Sequence, residues 1–164
     1  MNKPKIIIVD EKDEIIGSKE REILDQSDIY RVSALWVQNS DGDVLLAQRK
    51  FDKKNDPGKW GPAVAGTNDE GESYESNIIK EAEEEIGLVG QSFQKSEKIR
   101  YSGKHNFFCQ WFSFITDNGI EEFEIQEDEV EQIKWWERDE LLEELESDPD
   151  KFIGSVRGCV DSFC

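Results

Sequence analysis

Between Gly66 and Leu88 the chain reads GTNDEGESYESNIIKEAEEEIGL, and its acids are spaced to share one side of a helix. At ~100° per residue, with Glu81 as origin, Glu84 falls about 60° to one side and Glu85 about 40° to the other. Glu81, Glu84 and Glu85 therefore occupy an arc of roughly 100°. Ile78, Ala82, Ile86 and Ile79 fill the adjoining arc, and Lys80, Ser76 and Glu83 take the far side. The acids thus border the face that must be buried. Two carboxylates ~4 Å apart repel by roughly 1 kcal/mol in water and about 4 at an effective dielectric of 20. A divalent cation removes that penalty, and an all-oxygen cluster suits a hard ion such as Mg²⁺. Runs of Glu also arise by composition in so acidic a chain, so the wheel alone leaves a metal site and a plain surface helix equally open.

The elements that must hold these acids are marked on both sides. Gly66 and Gly71 suit a loop in which backbone approaches something closely. Ser73 is an N-cap residue, and Gly87 stands where a left-handed residue ends a helix. A helix over about 73 to 86 follows. The same stretch resembles the Nudix hydrolase motif, G-x5-E-x7-R-E-U-x-E-E-x-G-U with U a bulky aliphatic residue. Gly66, Glu72, Glu81, Glu84, Glu85, Gly87 and Leu88 keep every spacing. Lys80 replaces the motif Arg, and the small Ala82 replaces the first bulky aliphatic.

The remaining chain supplies strands and two charged loops. Lys5 to Val9 and Glu14 to Gly17 read as an N-terminal hairpin around Asp10–Asp13, and Ser18 to Asp28 as a polar connection with a short helical turn. Tyr30 to Gln38 is a central strand, turned at Asn39–Gly42 into an antiparallel return over Val44 to Arg49. Arg49, Lys50, Lys53, Lys54 and Lys59 then form a basic patch suited to phosphate oxygens, or simply a solvated loop. Trp60 to Ala65 enters Gly66 as a strand. Ser92 to Tyr101 and His105 to Thr116 form further strands, the second so aromatic that Phe107, Phe108, Trp111, Phe112 and Phe114 read as core rather than as a base-stacking platform. His105, the only histidine, sits at a turn and is assigned no role. An acidic loop to Asp128 precedes a last strand over Glu129 to Trp136. A helix over Arg138 to Glu146, with Leu141, Leu142 and Leu145 inward, and a short closing helix through Phe152 to Val156 complete the chain.

At 164 residues the length suits one domain, 1–164, with 1–29 as a hairpin extension and 66–88 as the motif. The net charge of −18, from 38 acids against 20 bases, argues against duplex nucleic acid and against an anionic membrane surface. It leaves room for a small phosphorylated substrate. No secretory signal or transmembrane run is present. Cys109, Cys159 and Cys164 form no CxxC pair, which fits reduced thiols in a cytoplasmic protein, with Cys109 packed inside and the two near the C-terminus open to exposure.

What the Nudix resemblance implies is an α/β/α sandwich, a mixed curved sheet between helices. It implies hydrolysis of the diphosphate bond in a nucleoside diphosphate joined to another group, by water attack on phosphorus. Glu81, Glu84, Glu85 and Glu72 would be the metal residues, for Mg²⁺ with Mn²⁺ as substitute. Lys80 would orient the cluster through Glu72, and one of Glu84, Glu127 or Glu129 would take the proton. Arg49, Lys54, Lys59 and Gly66 would face the substrate. Many relatives are homodimers, which extends that expectation to this chain. The hairpin, the loop KKNDPGKW and the segment AVAGT further resemble the isopentenyl diphosphate isomerase branch. Ala65 and Thr67 fall where the isomerases carry a Cys and a His, however, and Tyr30 where they carry a metal-binding His. A methyl group cannot replace a thiol acid. A nucleotide-binding module without turnover is the third reading, opposed by the retained acids.

Overall fold

The computed structural model describes residues 3–164; the first two residues of the expected range 1–164 lie outside them. In chain order the strands are β1 (Lys5–Val9), β2 (Ile15–Glu20), β3 (Ile29–Gln38), β4 (Val44–Arg49), β5 (Trp60–Pro62), β6 (Val64–Thr67), β7 (Gln94–Tyr101), β8 (Asn106–Ile115) and β9 (Val130–Trp136). The helices are α1 (Tyr74–Ile86), α2 (Arg138–Ser147) and α3 (Ser155–Phe163).

The alternation of β3 decides which way everything packs. Leu35 and Val37 join a core beneath α1, while Ala34 and Trp36 join a second core beneath α2 and α3. A strand buried on both faces must lie inside a sandwich. β8 runs parallel to β3 along its whole length, from Ile29↔Asn106 to Gln38↔Ile115. The other side of β3 is shared in succession, by β1 at its start, β6 in its middle and β4 at its end. β2 extends β1, β7 extends β8, and β5 and β9 flank β4. The outcome is an open, curved, mixed sheet between helices. Phe108, Trp111 and Phe112 are buried in it, and Phe107 and Phe114 are half-buried.

Several expectations are corrected. The strand expected over Trp60 to Ala65 is two strands broken at Ala63, because β5 pairs with β4 and β6 changes partner to β3. β2 runs to Glu20 before the short turn of helix at Arg21–Ile23. The closing helix is longer and later than expected: Phe152 is extended and bridges Trp60, and α3 begins only at Ser155. Val156, Cys159 and Val160 then face inward. Cys159 is therefore buried, like Cys109, and Cys164 is exposed; none of the three is paired. Ile79, placed on the buried arc of α1, is 40% exposed. No helix among the described residues is long and apolar enough to cross a membrane.

Candidate active site at the strand–helix junction

The motif helix is held at both ends by its own residues. The Ser73 side chain accepts from the Ser76 N–H, and Ser76 returns the bond to the Ser73 backbone, forming a capping box. At the other end Gly87 takes φ 72° and its N–H reaches the carbonyls of Ala82 and Glu83. Tyr74, Asn77, Ile78, Ala82 and Ile86 are buried against the sheet. The small Ala82, where the motif calls for a bulkier residue, is fully buried at the approach of α1 to the sheet.

That approach places two of the acids against β6. A Cβ on residue 66 would lie 2.5 Å from Glu81 Cγ and Cδ, so only glycine leaves room for this carboxylate. Glu85 Oε2 accepts the Ala65 N–H at 3.3 Å. Burial, then repulsion from Glu84, Glu72 and Asp69, pushes the Glu81 carboxyl up to about 7 against the opposing pull of Lys80. Burial, then repulsion from Glu81 and Glu129, pushes Glu85 up to about 8, with the Ala65 N–H and Arg49 acting against it. Glu84 is exposed at the rim.

Lys80 braces the cluster. Its Nζ lies 3.0 Å from Glu72, 3.5 Å from Asp69 and 3.8 Å from Glu81. Partial burial opposes its charge, but the Glu72 hydrogen bond and the three acids outweigh that and raise its pKa. Glu72 Oε1 meanwhile accepts from the Asp69 N–H at 2.7 Å and from Asn77 Nδ2 at 3.4 Å. With both oxygens engaged inside the protein, Glu72 fits a supporting place beside Lys80 better than a position on a cation. Asp69 is a residue the motif does not mark; its only sequence signal was its place between the two loop glycines.

The flanking loops reach the same corner. The segment after β8 is tied to the end of α1 by Glu124 N–H to the Ile86 carbonyl at 3.1 Å and Gln126 N–H to the Glu85 carbonyl at 2.9 Å. That brings Glu129 into range of Glu85; Glu127 is exposed nearby. The basic loop before β5 does not stand free. Lys53 pairs with Glu129 at 2.6 Å and Lys50 with Glu131 at 3.1 Å. Arg49 Nε donates to the Asn55 carbonyl at 2.9 Å, while the Arg49 charge still acts on Glu85. Lys54 is exposed and Lys59 half-buried on the same loop. The structure thus gathers Gly66, Glu72, Lys80, Glu81, Glu84, Glu85, Glu129 and Arg49, with Lys54, Lys59 and Glu127 at the periphery.

The donor set suits a hard divalent cation: carboxylate oxygens, two of them raised by burial and mutual repulsion. Among the described residues no three Asp, Glu, His or Cys side chains converge closely enough to define a metal centre by themselves. The pair Glu81–Glu85, with Glu84 at the rim, is therefore the nucleus of the site. The positions distinctive of carbon acid chemistry are different: Ala65 is exposed, Thr67 half-buried, and Tyr30 stacks on Phe107 at 5.5 Å.

Comparison with known proteins agrees with this geometry. Residues 29–155 match the NUDIX domain family. Over 143 residues the chain is 28% identical to an uncharacterised Nudix hydrolase of Pseudomonas aeruginosa, covering 86% of this chain and 83% of that protein. Over 157 residues it is 27% identical to an isopentenyl-diphosphate Delta-isomerase of Kocuria rhizophila, covering 90% and 86%. Crystalline DR0079 from Deinococcus radiodurans shares the fold with a TM-score of 0.81 at 21% identity, covering 96% of this chain and 98% of that one. The NUDIX domain of Shewanella oneidensis NrtR, solved with ADP ribose, gives a TM-score of 0.59 at 17% identity, covering 76% and 81%.

Proposed function

The chain belongs to the Nudix family, as a pyrophosphohydrolase of it, and from that premise we propose that it cleaves a nucleoside diphosphate joined to another group by metal-dependent attack of water on phosphorus. The observation that carries this is the Glu81–Glu85 pair, seated where α1 meets β6 against Gly66 and the Ala65 N–H and pushed up by burial to about 7 and about 8. Carboxylates desolvated beside one another favour a site completed by positive charge. Glu81 and Glu85, with Glu84, would hold Mg²⁺ or Mn²⁺. The ion would neutralise phosphate oxygens and lower the pKa of a bound water.

The protein's own residues supply the rest. Gly66 leaves the floor open to Glu81, and Ala65 N–H orients Glu85. Lys80 holds Glu81 from behind through its bonds to Glu72 and Asp69. Lys lacks the planar guanidinium fork, so this brace reaches all three acids from one ammonium nitrogen without a bidentate pair. One of Glu84, Glu127 or Glu129 takes the proton from water; Glu129 must first leave Lys53. Arg49, Lys54 and Lys59 meet the phosphates from the basic loop, and such a fold carries a nucleoside diphosphate group in the ADP-ribose complex of the NrtR domain.

The test is a hydrolysis panel of nucleoside triphosphates, sugar nucleotides and dinucleoside polyphosphates with Mg²⁺ or Mn²⁺, products identified. Metal-dependent release of a mononucleotide or phosphate is expected, falling ~100-fold or more in Glu85→Gln. Full activity in Glu85→Gln, or no turnover across the panel, would overturn the assignment. The isomerase relative suggests a second reading, but Ala65 offers no thiol acid, and burial pushes the Cys109 thiol far above its ordinary range. An NMR assay of isopentenyl diphosphate for a shifted double bond checks this directly; no shift is expected.

A further inference from the structure

The N-terminal hairpin lies before Ile29, outside the stretch that matches the family, yet it is bonded to the motif itself. Two backbone bonds fasten β1 to the loop between β6 and α1: Ile7 N–H to the Asn68 carbonyl at 3.1 Å and Glu70 N–H to the Lys5 carbonyl at 2.8 Å. Ile6 and Asp69 form a bridge between them. On its other side the loop is held by Asn68 N–H to the Arg31 carbonyl at 2.9 Å. The loop that presents Asp69 and Glu72 to Lys80 is thus clamped between β1 and β3.

One residue closes the clamp. Asp13, at the turn between β1 and β2, is 8% exposed and takes φ 62°, a left-handed conformation rare for a residue with a side chain. Its carboxylate accepts from Arg31 Nε at 2.8 Å, Lys98 Nζ at 2.7 Å and Tyr74 Oη at 2.9 Å. Arg31 also donates to the Asp13 carbonyl at 2.7 Å and lies over the Tyr74 ring at 4.9 Å. Burial raises the Asp13 carboxyl, but the bonds from Lys98, Arg31 and Tyr74 outweigh it and hold it below its ordinary value. Tyr74 is the first residue of α1. Its carbonyl accepts from Ser33 Oγ at 2.9 Å, and the same hydroxyl meets Asn68 Oδ1 at 3.2 Å. A single buried carboxylate therefore joins the hairpin, β3, β7 and the first turn of the motif helix. A turn needing only to reverse the chain would place an exposed Gly or Asn there.

We propose that Asp13 is a positioning residue, locking the hairpin onto the loop and first turn of α1 so that Lys80, and through it Glu81, is held in register. The role of Glu81 rests on the hydrolase reading above; the mechanical coupling does not. Asp13→Gly is the decisive variant, because it keeps the left-handed backbone without strain and deletes the carboxylate. Tyr74→Phe removes one bond only and serves if Asp13→Gly does not fold.

Amide exchange by mass spectrometry is expected to rise about tenfold over residues 66–76 in Asp13→Gly and several-fold in Tyr74→Phe, with β9 and α2 unchanged. Mn²⁺ affinity, read by EPR on the protein alone, is expected to weaken several-fold. In whichever substrate the panel yields, kcat should fall about tenfold with KM changed less than twofold. Unchanged exchange over 66–76 in a folded variant overturns the coupling. Raised exchange with unchanged Mn²⁺ affinity and kcat overturns the positioning role. If the wild-type panel shows no turnover, the hydrolase reading fails, while exchange and EPR still decide this one.

Discussion

Glu81 and Glu85 are the carboxylates whose chemistry is most distorted by the fold, and the distortion has a sign. Each has a folded pKa, about 7 and about 8, above its unfolded value. The folded protein therefore binds more protons than the unfolded chain between about pH 4.5 and 8. The stability this leaves in place below the unfolded value is lost as pH rises through the folded one. In chelator, the unfolding midpoint is expected to fall from about pH 5 to pH 9, and millimolar Mg²⁺ should restore it most at the alkaline end. Asp13 acts oppositely: its pKa is held below the ordinary 3.8, so its contribution is present above that value and lost in acid. Urea titrations across pH, with and without Mg²⁺, check both arms. A midpoint flat from pH 5 to 9 in chelator would mean that the two carboxylates are not desolvated, and do not repel each other, as the structure places them.

At the scale of elements, local signals were legible where one residue forces one conformation. Ser73 and Gly87 mark α1 because an N-cap hydroxyl and a left-handed C-terminal glycine have few other uses, and the helix spans Tyr74–Ile86. Tyr30 to Gln38 was readable as a central strand, and β3 spans Ile29–Gln38. What escaped was long-range. The closing helix was expected through Phe152 to Val156, but α3 runs Ser155–Phe163, with Val156, Cys159 and Val160 at helical spacing against the core. The break at Ala63 depends on the chain passing from β4 as partner of β5 to β3 as partner of β6, which no local pattern encodes. Asp13 sat in an unremarkable polar turn, and its partners Arg31, Tyr74 and Lys98 are 18, 61 and 85 residues away. The Nudix resemblance marked Glu81, Glu84 and Glu85 and the Lys80–Glu72 brace, whereas Asp69 and Asp13 carried no such mark. Gly87 tests how the end of α1 carries the loop beyond it. A Cβ there would meet Glu124 Cβ at 2.9 Å on a backbone with φ 72°. Gly87→Ala is expected to cost about 1–2 kcal/mol and to loosen the loop of Glu127 and Glu129. Denaturant unfolding measures the first and amide exchange over 120–129 the second; an unchanged loop would detach it from the helix end.

For the whole molecule, the question is which field an anionic substrate meets. The net charge is −18, and a field of that size repels nucleotides at long range. The basic loop would offset it locally if its charges stood free, but Lys53 and Lys50 are paired with Glu129 and Glu131, and Arg49 is turned to Asn55 and offset by Glu85. That leaves Lys54 and Lys59 against the whole acidic surface. Repulsion should therefore dominate the approach, and cations in solution should help it. Raising monovalent salt from about 10 to 100 mM shortens the Debye length from about 30 to 10 Å. At fixed free Mg²⁺, kcat/KM for a nucleotide substrate is accordingly expected to rise over that interval by a fewfold while kcat stays level. A fall would show that the loop lysines steer the substrate in spite of their partners. Glu131→Gln, which frees Lys50 without touching the carboxylates of α1, should then flatten the rise, because part of the local positive field it restores acts within a Debye length of the site.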